Sequence, residues 1–338
     1  MNTAAKIWWN QSRQRALVAA IGQQLQSGAL VLQLPSPAPW GREFRQTVVR
    51  SLSGERTLRE LCPAPGTQPE PFLLHEVCPP EVRFTYWPNR SFAQFLAENP
   101  ALPFHSSCIW VRGIDQAPAL TAWASFAAQY QKAAAHLAQK ACFILEYSQS
   151  DTPAAALPCL RYAPGRTERR IFCLELAALN ASPCPEYLAQ LALCLGDTPE
   201  ACERLLAQPE KLLQAPAETA KELLPELKAD SLESRIWLAQ TATLFVPMEQ
   251  WRQKILRKYE VELLGCLPMH SAGNEPIRCV EELEFGQLYF LKDSILFEPQ
   301  DFQTLILCRT VRNLLAHNTP VCWQKARAVL NLTDCAEN

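Results

Sequence analysis

Near the end of this chain, the run RNLLAHN at Arg312–Asn318 sets a guanidinium and an imidazole five residues apart, with the amide of Asn313 between them. These side chains suit work on a phosphate. The imidazole of His317 can accept or give up a proton near pH 7. The guanidinium of Arg312 can hold a phosphate oxygen and stabilise charge that builds there. A spacing of five does not align two side chains on one regular helix. If the helix ends near Ala316, His317 can turn toward the side of Arg312. The same residue types also suit a helix end for structural reasons. Arg and His favour the carboxyl-terminal dipole, and Asn tolerates a turn.

A second stretch with phosphate-like spacing is ALVLQLPSPAPWGREFRQTVVRSL, Ala29–Leu52. The apolar run Ala29–Leu34 predicts a short buried strand, and Pro35–Trp40 a loop. From Gly41, the apolar positions Phe44, Val48, Val49 and Leu52 predict an amphipathic helix. Strand, loop and helix open a phosphate-binding P-loop. Ser36 stands at its first Gly, Gly41 at its second, Arg42 at its Lys and Glu43 at its Ser or Thr. The chemistry departs from the spacing. Pro37 and Pro39 have no N–H to aim at a phosphate. Glu43 places negative charge beside it, and Arg42 lacks the compact ammonium of Lys. Binding through Ser36, Gly41 and Arg42 is therefore expected to be weak or lost, and no cofactor is expected.

Composition narrows the possibilities. The 338 residues suffice for two or three domains, and 48% hydrophobic content predicts a real core. Formal net charge is −2, and residues 231–338 hold 11 Lys and Arg against 13 Asp and Glu. Neither half is a polycation, so non-specific DNA binding has no electrostatic support. No run of 18 apolar residues indicates a membrane span. The N-terminus shows no apolar export core. The 14 Cys are scattered without a C-x-x-C, which reads as reduced, partly buried thiols in a cytoplasmic protein. His75/Cys78 and His105/Cys108 share H-x-x-C spacing and together offer four zinc ligands. Cys108 opens a strand that reads as central, however, so no metal site is expected.

The elements that must position these residues follow from periodicity. Residues 4–27 predict a helix and Thr57–Pro71 a surface connection. Phe72–Val77 and Val82–Trp87 predict strands, and Ser91–Glu98 a short helix. Cys108–Val111 and Ala141–Tyr147 predict buried strands on either side of a helix at Ala117–Lys140. Arg161–Arg170 reads as a basic loop and Ile171–Leu176 as a further strand. Alternation of strands and helices predicts an α/β fold with a parallel sheet. Helices take over beyond Pro183. They include Leu232–Tyr259, Pro276–Lys292, a helix from Pro299 to about Ala316, and a last one from Thr319 through Leu330. A loop with Pro268 and Gly273 spans Leu263–Asn274.

In this order CIWVRGIDQ, Cys108–Gln116, resembles the Walker B strand of the STAND and AAA+ families of P-loop NTPases. Gly113 and Asp115 match that pattern. Arg112 stands for the magnesium-coordinating Asp, and Gln116 for the catalytic Glu. KACFILEY, Lys140–Tyr147, resembles the sensor strand that follows. RRIFCLELAALN, Arg169–Asn180, resembles the strand that leads into a helical lid. The resemblance implies a degenerate P-loop domain over residues 1–180, a lid over 181–230 and no nucleotide hydrolysis. RNLLAHN resembles the R-N-x-L-A-H signature of HEPN domains, and VEELEFGQLYFL, Val280–Leu291, their penultimate helix. That resemblance implies a helical bundle over 231–338. It also implies a homodimer whose two Arg/His sets share one cleft, and metal-independent cleavage of RNA. Arg312, Asn313 and His317 would be its catalytic residues, with Asn313 capping or bonding across the dimer. The expected protein is a regulated cytoplasmic effector of a bacterial-style defence or stress system. The competing expectation is a non-catalytic pseudo-NTPase scaffold whose bundle docks a protein partner.

Overall fold

A computed structural model describes residues 2–52, 54–87, 89–151, 156–228, 231–270 and 275–332. The chain divides into two compact units, residues 1–168 and 169–338. No helix among the described residues is long and apolar enough to cross a membrane.

The first unit opens with helices α1 (Thr3–Asn10) and α2 (Ser12–Gln24). Strand β1 (Ala29–Gln33) then leads to α3 (Gly41–Ser51), and β2 (Thr57–Leu61) to α4 (Pro69–Val77), α5 (Pro80–Arg83) and α6 (Phe92–Ala97). Strand β3 (Ser107–Ile114), α7 (Ala117–Ala133), β4 (Cys142–Tyr147) and β5 (Cys159–Arg161) follow. The five strands form one parallel sheet in the order β2-β3-β4-β1-β5. Every residue of β1 is buried, as a parallel strand covered on both faces requires. Ile109, Val111, Phe143 and Leu145 meet Phe126 and Tyr130 of α7 in the main core. The opposite face carries Trp110, whose ring meets Phe44 of α3 edge-on at 5.6 Å.

The second unit takes in most of α8 (Arg166–Leu179), then α9 (Pro185–Leu195), α10 (Pro199–Leu206), α11 (Pro209–Gln214) and α12 (Pro216–Leu223). Helix α13 (Leu232–Lys258) precedes α14 (Glu260–Leu264), the short strands β6 (Met269–His270) and β7 (Pro276–Ile277), and α15 (Phe285–Phe290). Helices α16 (Pro299–Ala316) and α17 (Trp323–Leu330) end it. Helix α13 packs on α9, α12, α16 and α17. The helices at 181–230 thus share one core with the bundle. Proline stands in the first turn of each of α9 to α12, where its missing N–H costs nothing.

Two expected strands are helical instead, and a third is mostly turn and loop. Phe72–Val77 belongs to α4, which Pro69 opens and which buries Leu73 and Val77 four apart. In Val82–Trp87 the alternation is not a buried face, since Phe84 is 85% exposed after the single turn of α5. Ile171–Leu176 belongs to α8, where Phe172, Cys173, Leu176 and Ala177 are buried at helical spacing. The basic residues Arg166, Arg169 and Arg170 form the first turns of α8 rather than a loop. Conversely, Thr57–Leu61 is an edge strand, not a surface connection. The expected helix at Pro276–Lys292 is broken. β7 opens it, and α15 begins only at Phe285, after a capping box between Glu284 and Gln287. Residues 271–274 of the expected Gly273 loop and 229–230 of the junction before α13 lie outside the described residues.

Candidate functional site

The loop after β1 carries the first candidate. In an open α/β sheet, ligands bind beyond the carboxyl ends of neighbouring strands whose chains leave in opposite directions. Here β1 leads toward β2 at one edge and β4 toward β5 at the other, so β1 and β4 define that crevice. The chain itself crosses there. Leu34 donates its N–H to the Tyr147 carbonyl at 2.8 Å. The buried amide of Gln33 donates to the carbonyls of Gln149, at 2.9 Å, and Asp151. Ser148 donates to the Ile114 carbonyl through its N–H at 3.0 Å.

The loop is held by aromatic side chains. The indole of Trp9 donates to the Pro39 carbonyl at 3.1 Å and stacks on Phe44 at 4.3 Å. Trp40 takes the left-handed conformation, φ 45° and ψ 55°, just before α3. Its ring lies 6.5 Å from that of Trp8. Ser36 and Arg42 are exposed. Gly41 has a reason unrelated to phosphate: a Cβ there would come within 3.0 Å of Arg45 Nη1. Arg45, only 7% exposed, turns back under the helix start. Its Nε lies 3.0 Å from the Glu60 carboxylate of β2, and Arg112 of β3 reaches the same oxygen at 3.3 Å. Arg112 precedes Gly113, whose φ of 77° falls in a break of the β3–β4 register. Beside them the Trp110 indole donates to Glu146 at 2.8 Å. Two guanidiniums thus share one carboxylate at this edge. Arg45 and Glu60 were not legible as a pair, because β2 did not read as a strand.

The second candidate sits at the end of α16. The helix ends at Ala316, and His317 is its carboxyl-terminal cap. Its N–H donates to the carbonyls of Asn313 and Leu314, both at 3.1 Å, while Thr319 donates to Leu314 at 2.9 Å. Asn318 adopts φ 55°, the left-handed turn that Asn tolerates after a helix. Asn313 and His317 are exposed and Arg312 is half-buried. Arg312 Nη2 donates to Glu284 Oε2 at 2.7 Å. Two residues outside the motif hold this end in place. Trp237 of α13 donates to the Leu315 carbonyl at 2.7 Å. Gln240, buried in α13, accepts from the Val321 N–H and donates to its carbonyl, both at 2.7 Å. Its amide also reaches the Tyr187 hydroxyl at 3.0 Å. A lone buried Gln at an apolar helix position was the available signal for this clamp.

The H-x-x-C residues are placed apart from any shared centre. His105 is buried, with Nδ1 2.7 Å from the Tyr130 hydroxyl and Nε2 3.0 Å from the Asn99 carbonyl. His75 is exposed beside Glu76. Among the described residues no group of three or more His, Cys, Asp and Glu is arranged to hold a metal.

No family model matches the chain, and no curated protein matches it.

Proposed function

We propose that the protein is a regulated effector whose C-terminal unit cleaves RNA at Arg312, Asn313 and His317. On this reading the first unit is a P-loop-like platform that does not turn over nucleotide. The observation that carries it is the exposure of Asn313 and His317 in the last turn and cap of α16, the helix that also carries Arg312. Among the described residues neither the Asn313 nor the His317 side chain is used to hold the core. The chemistry needs a base and a cation at one phosphodiester. His317 takes the 2′-hydroxyl proton, and Arg312 binds the phosphate oxygens as charge accumulates. Two chains paired across this helix end would bring two such sets to one cleft, in keeping with the resemblance to HEPN domains. Arg45 and Arg112 share the single Glu60 carboxylate, and the positive charge left over opposes a magnesium ion there, which supports a platform without nucleotide turnover.

The test is His317→Ala in the full chain, with single-stranded RNA cleavage and melting temperature measured on the same preparation. Loss of cleavage at unchanged melting temperature is expected. A stable variant with the same activity as the parent, or a parent that cuts no RNA, overturns the reading. The second reading is a non-catalytic scaffold. The observation favouring it is the Arg312–Glu284 pair, because Glu284 also caps α15 and gives Arg312 a structural purpose.

A further inference from the structure

At the amino ends of the strands, away from the crevice described above, lies a cleft of about 640 Å³. Gly22, Gln23, Leu52, Arg56, Lys140 and Cys142 contribute to its walls. Cys142 begins β4, and its register partner on β3 is Cys108. Paired strands hold such partners about 4.8 Å apart, inside the ~4.4–6.8 Å Cα window of a disulfide. Side chains at paired positions project from the same face of the sheet. Two positions further along, Trp110 of β3 donates to Glu146 of β4 across that same face. Cys108 is fully buried, whereas Cys142, at 3% exposure, meets the cleft. Arg56 also faces the cleft, its Nη1 donating to the Lys140 carbonyl at 2.9 Å.

We propose that Cys142 and Cys108 form a redox-active dithiol, with Cys142 the peroxide-reactive thiol at the cleft and Cys108 its resolving partner. A thiolate beside fixed positive charge is the reactive form of cysteine. The hydrogen bond from Cys108, with Arg56 nearby, holds the Cys142 thiol below its ordinary range. The same bond and burial raise that of Cys108. In the first step the Cys142 thiolate attacks one peroxide oxygen. The O–O bond breaks, hydroxide leaves and takes up a proton as water, and Cys142 becomes a sulfenic acid. Cys108 then attacks the Cys142 sulfur. The S–O bond breaks, the S–S bond forms, and the leaving hydroxide takes the Cys108 proton as a second water. Two thiols are oxidised and one hydrogen peroxide is reduced. The product ties β3 to β4 at their amino ends.

The experiment exposes the folded full-length protein to hydrogen peroxide. Remaining thiols are then blocked in denaturant, and tryptic peptides are mapped. The expected product joins residues 91–112 to residues 141–161 through Cys108 and Cys142, not Cys159. It should form at least ~10-fold faster than oxidation of Cys308, whose burial pushes its thiol up to about 12. In Cys108→Ser a dimedone-reactive sulfenic acid should persist at Cys142, and Arg56→Gln should slow the first step. Should Cys142 stay reduced until unfolding, or oxidise no faster than Cys308, the proposal is overturned. It is equally overturned if Cys142 oxidises without joining Cys108, or if Arg56→Gln leaves the rate unchanged.

Discussion

Arg312 Nη2 donates to Glu284 Oε2 at 2.7 Å, and the same carboxylate accepts a backbone N–H in the first turn of α15. One acidic group thus caps a helix and holds the guanidinium proposed to bind the phosphate. Both side chains are substantially exposed, at 43% and 59%, and such pairs contribute about 0.2–1 kcal/mol. A phosphodiester can therefore displace the carboxylate. Glu284→Gln retains a capping oxygen and removes the competing charge. Binding of a single-stranded oligoribonucleotide should tighten severalfold at low salt, and Arg312→Ala should abolish that gain. A lowered melting temperature with no change in RNA affinity would instead assign Arg312 to structure.

The loop after β1 makes a separate prediction. Trp8, Trp9 and Trp40 surround it, and Trp9 holds the Pro39 carbonyl. Nucleotide entering this loop must disturb at least one indole. Addition of millimolar magnesium ATP or GTP should leave tryptophan fluorescence unchanged, and no phosphate should be released over hours. Steady turnover abolished by Arg42→Ala would defeat the prediction.

Glu60 should matter more for stability than its exposure suggests. Its carboxylate is shared by Arg45, with only 8% of the side chain exposed, and Arg112, at 39%. Glu60→Ala leaves the Arg45 guanidinium buried without its partner, at a cost of about 1–3 kcal/mol. Arg112→Ala removes a group that water already reaches, so a smaller loss is expected. Urea unfolding of both variants checks the order, and a larger loss for Arg112→Ala would contradict it.

Legibility in the sequence followed the length and bounding of each apolar run. β1 is buried throughout and β3 and β4 over most of their length, and each is a strand close to its expected place. Phe72–Val77 and Ile171–Leu176 are also mostly apolar over six residues, and such windows do not separate strand from helix. The deciding marks lay outside them, in Pro69 at the start of α4 and the helix-compatible arginines of α8. The end of α16 was legible because Asn318 and His317 suit a turn. Convergence of Arg45, Glu60 and Arg112 depends on three elements meeting in space, which no local pattern encodes. The Arg312–Glu284 pair was hidden for a related reason, since Pro276–Lys292 read as one helix and so gave Glu284 no capping role.

His105 gives the protein a defined acid sensitivity. The Tyr130 hydroxyl accepts the Ala141 N–H at 3.1 Å and lies 2.7 Å from His105 Nδ1, to which it donates when the ring is neutral. Nε2–H of His105 donates to the Asn99 carbonyl at 3.0 Å. Burial disfavours the charged ring, so the neutral form with Nδ1 accepting is the one the fold holds. Burial lowers its pKa below the ordinary 6.5, outweighing the backbone carbonyls that act to raise it. Above 6.5 neither the folded nor the unfolded chain binds this proton, and the full contribution to stability is present. As pH falls below 6.5 the unfolded chain takes up a proton that the folded chain refuses, so stability declines. The decline ends once pH passes the lowered folded value. One such group gives a slope of at most about 1.4 kcal/mol per pH unit. Carboxylates held low by arginine, such as Glu168 beside Arg13 and Glu249 beside Arg252, add their own loss only below about 4.5. His105→Gln keeps one donor and one acceptor but does not titrate. Urea unfolding between pH 7 and 5 should show the wild type losing stability relative to this variant. Parallel curves across that window would mean that His105 is not held neutral by the fold.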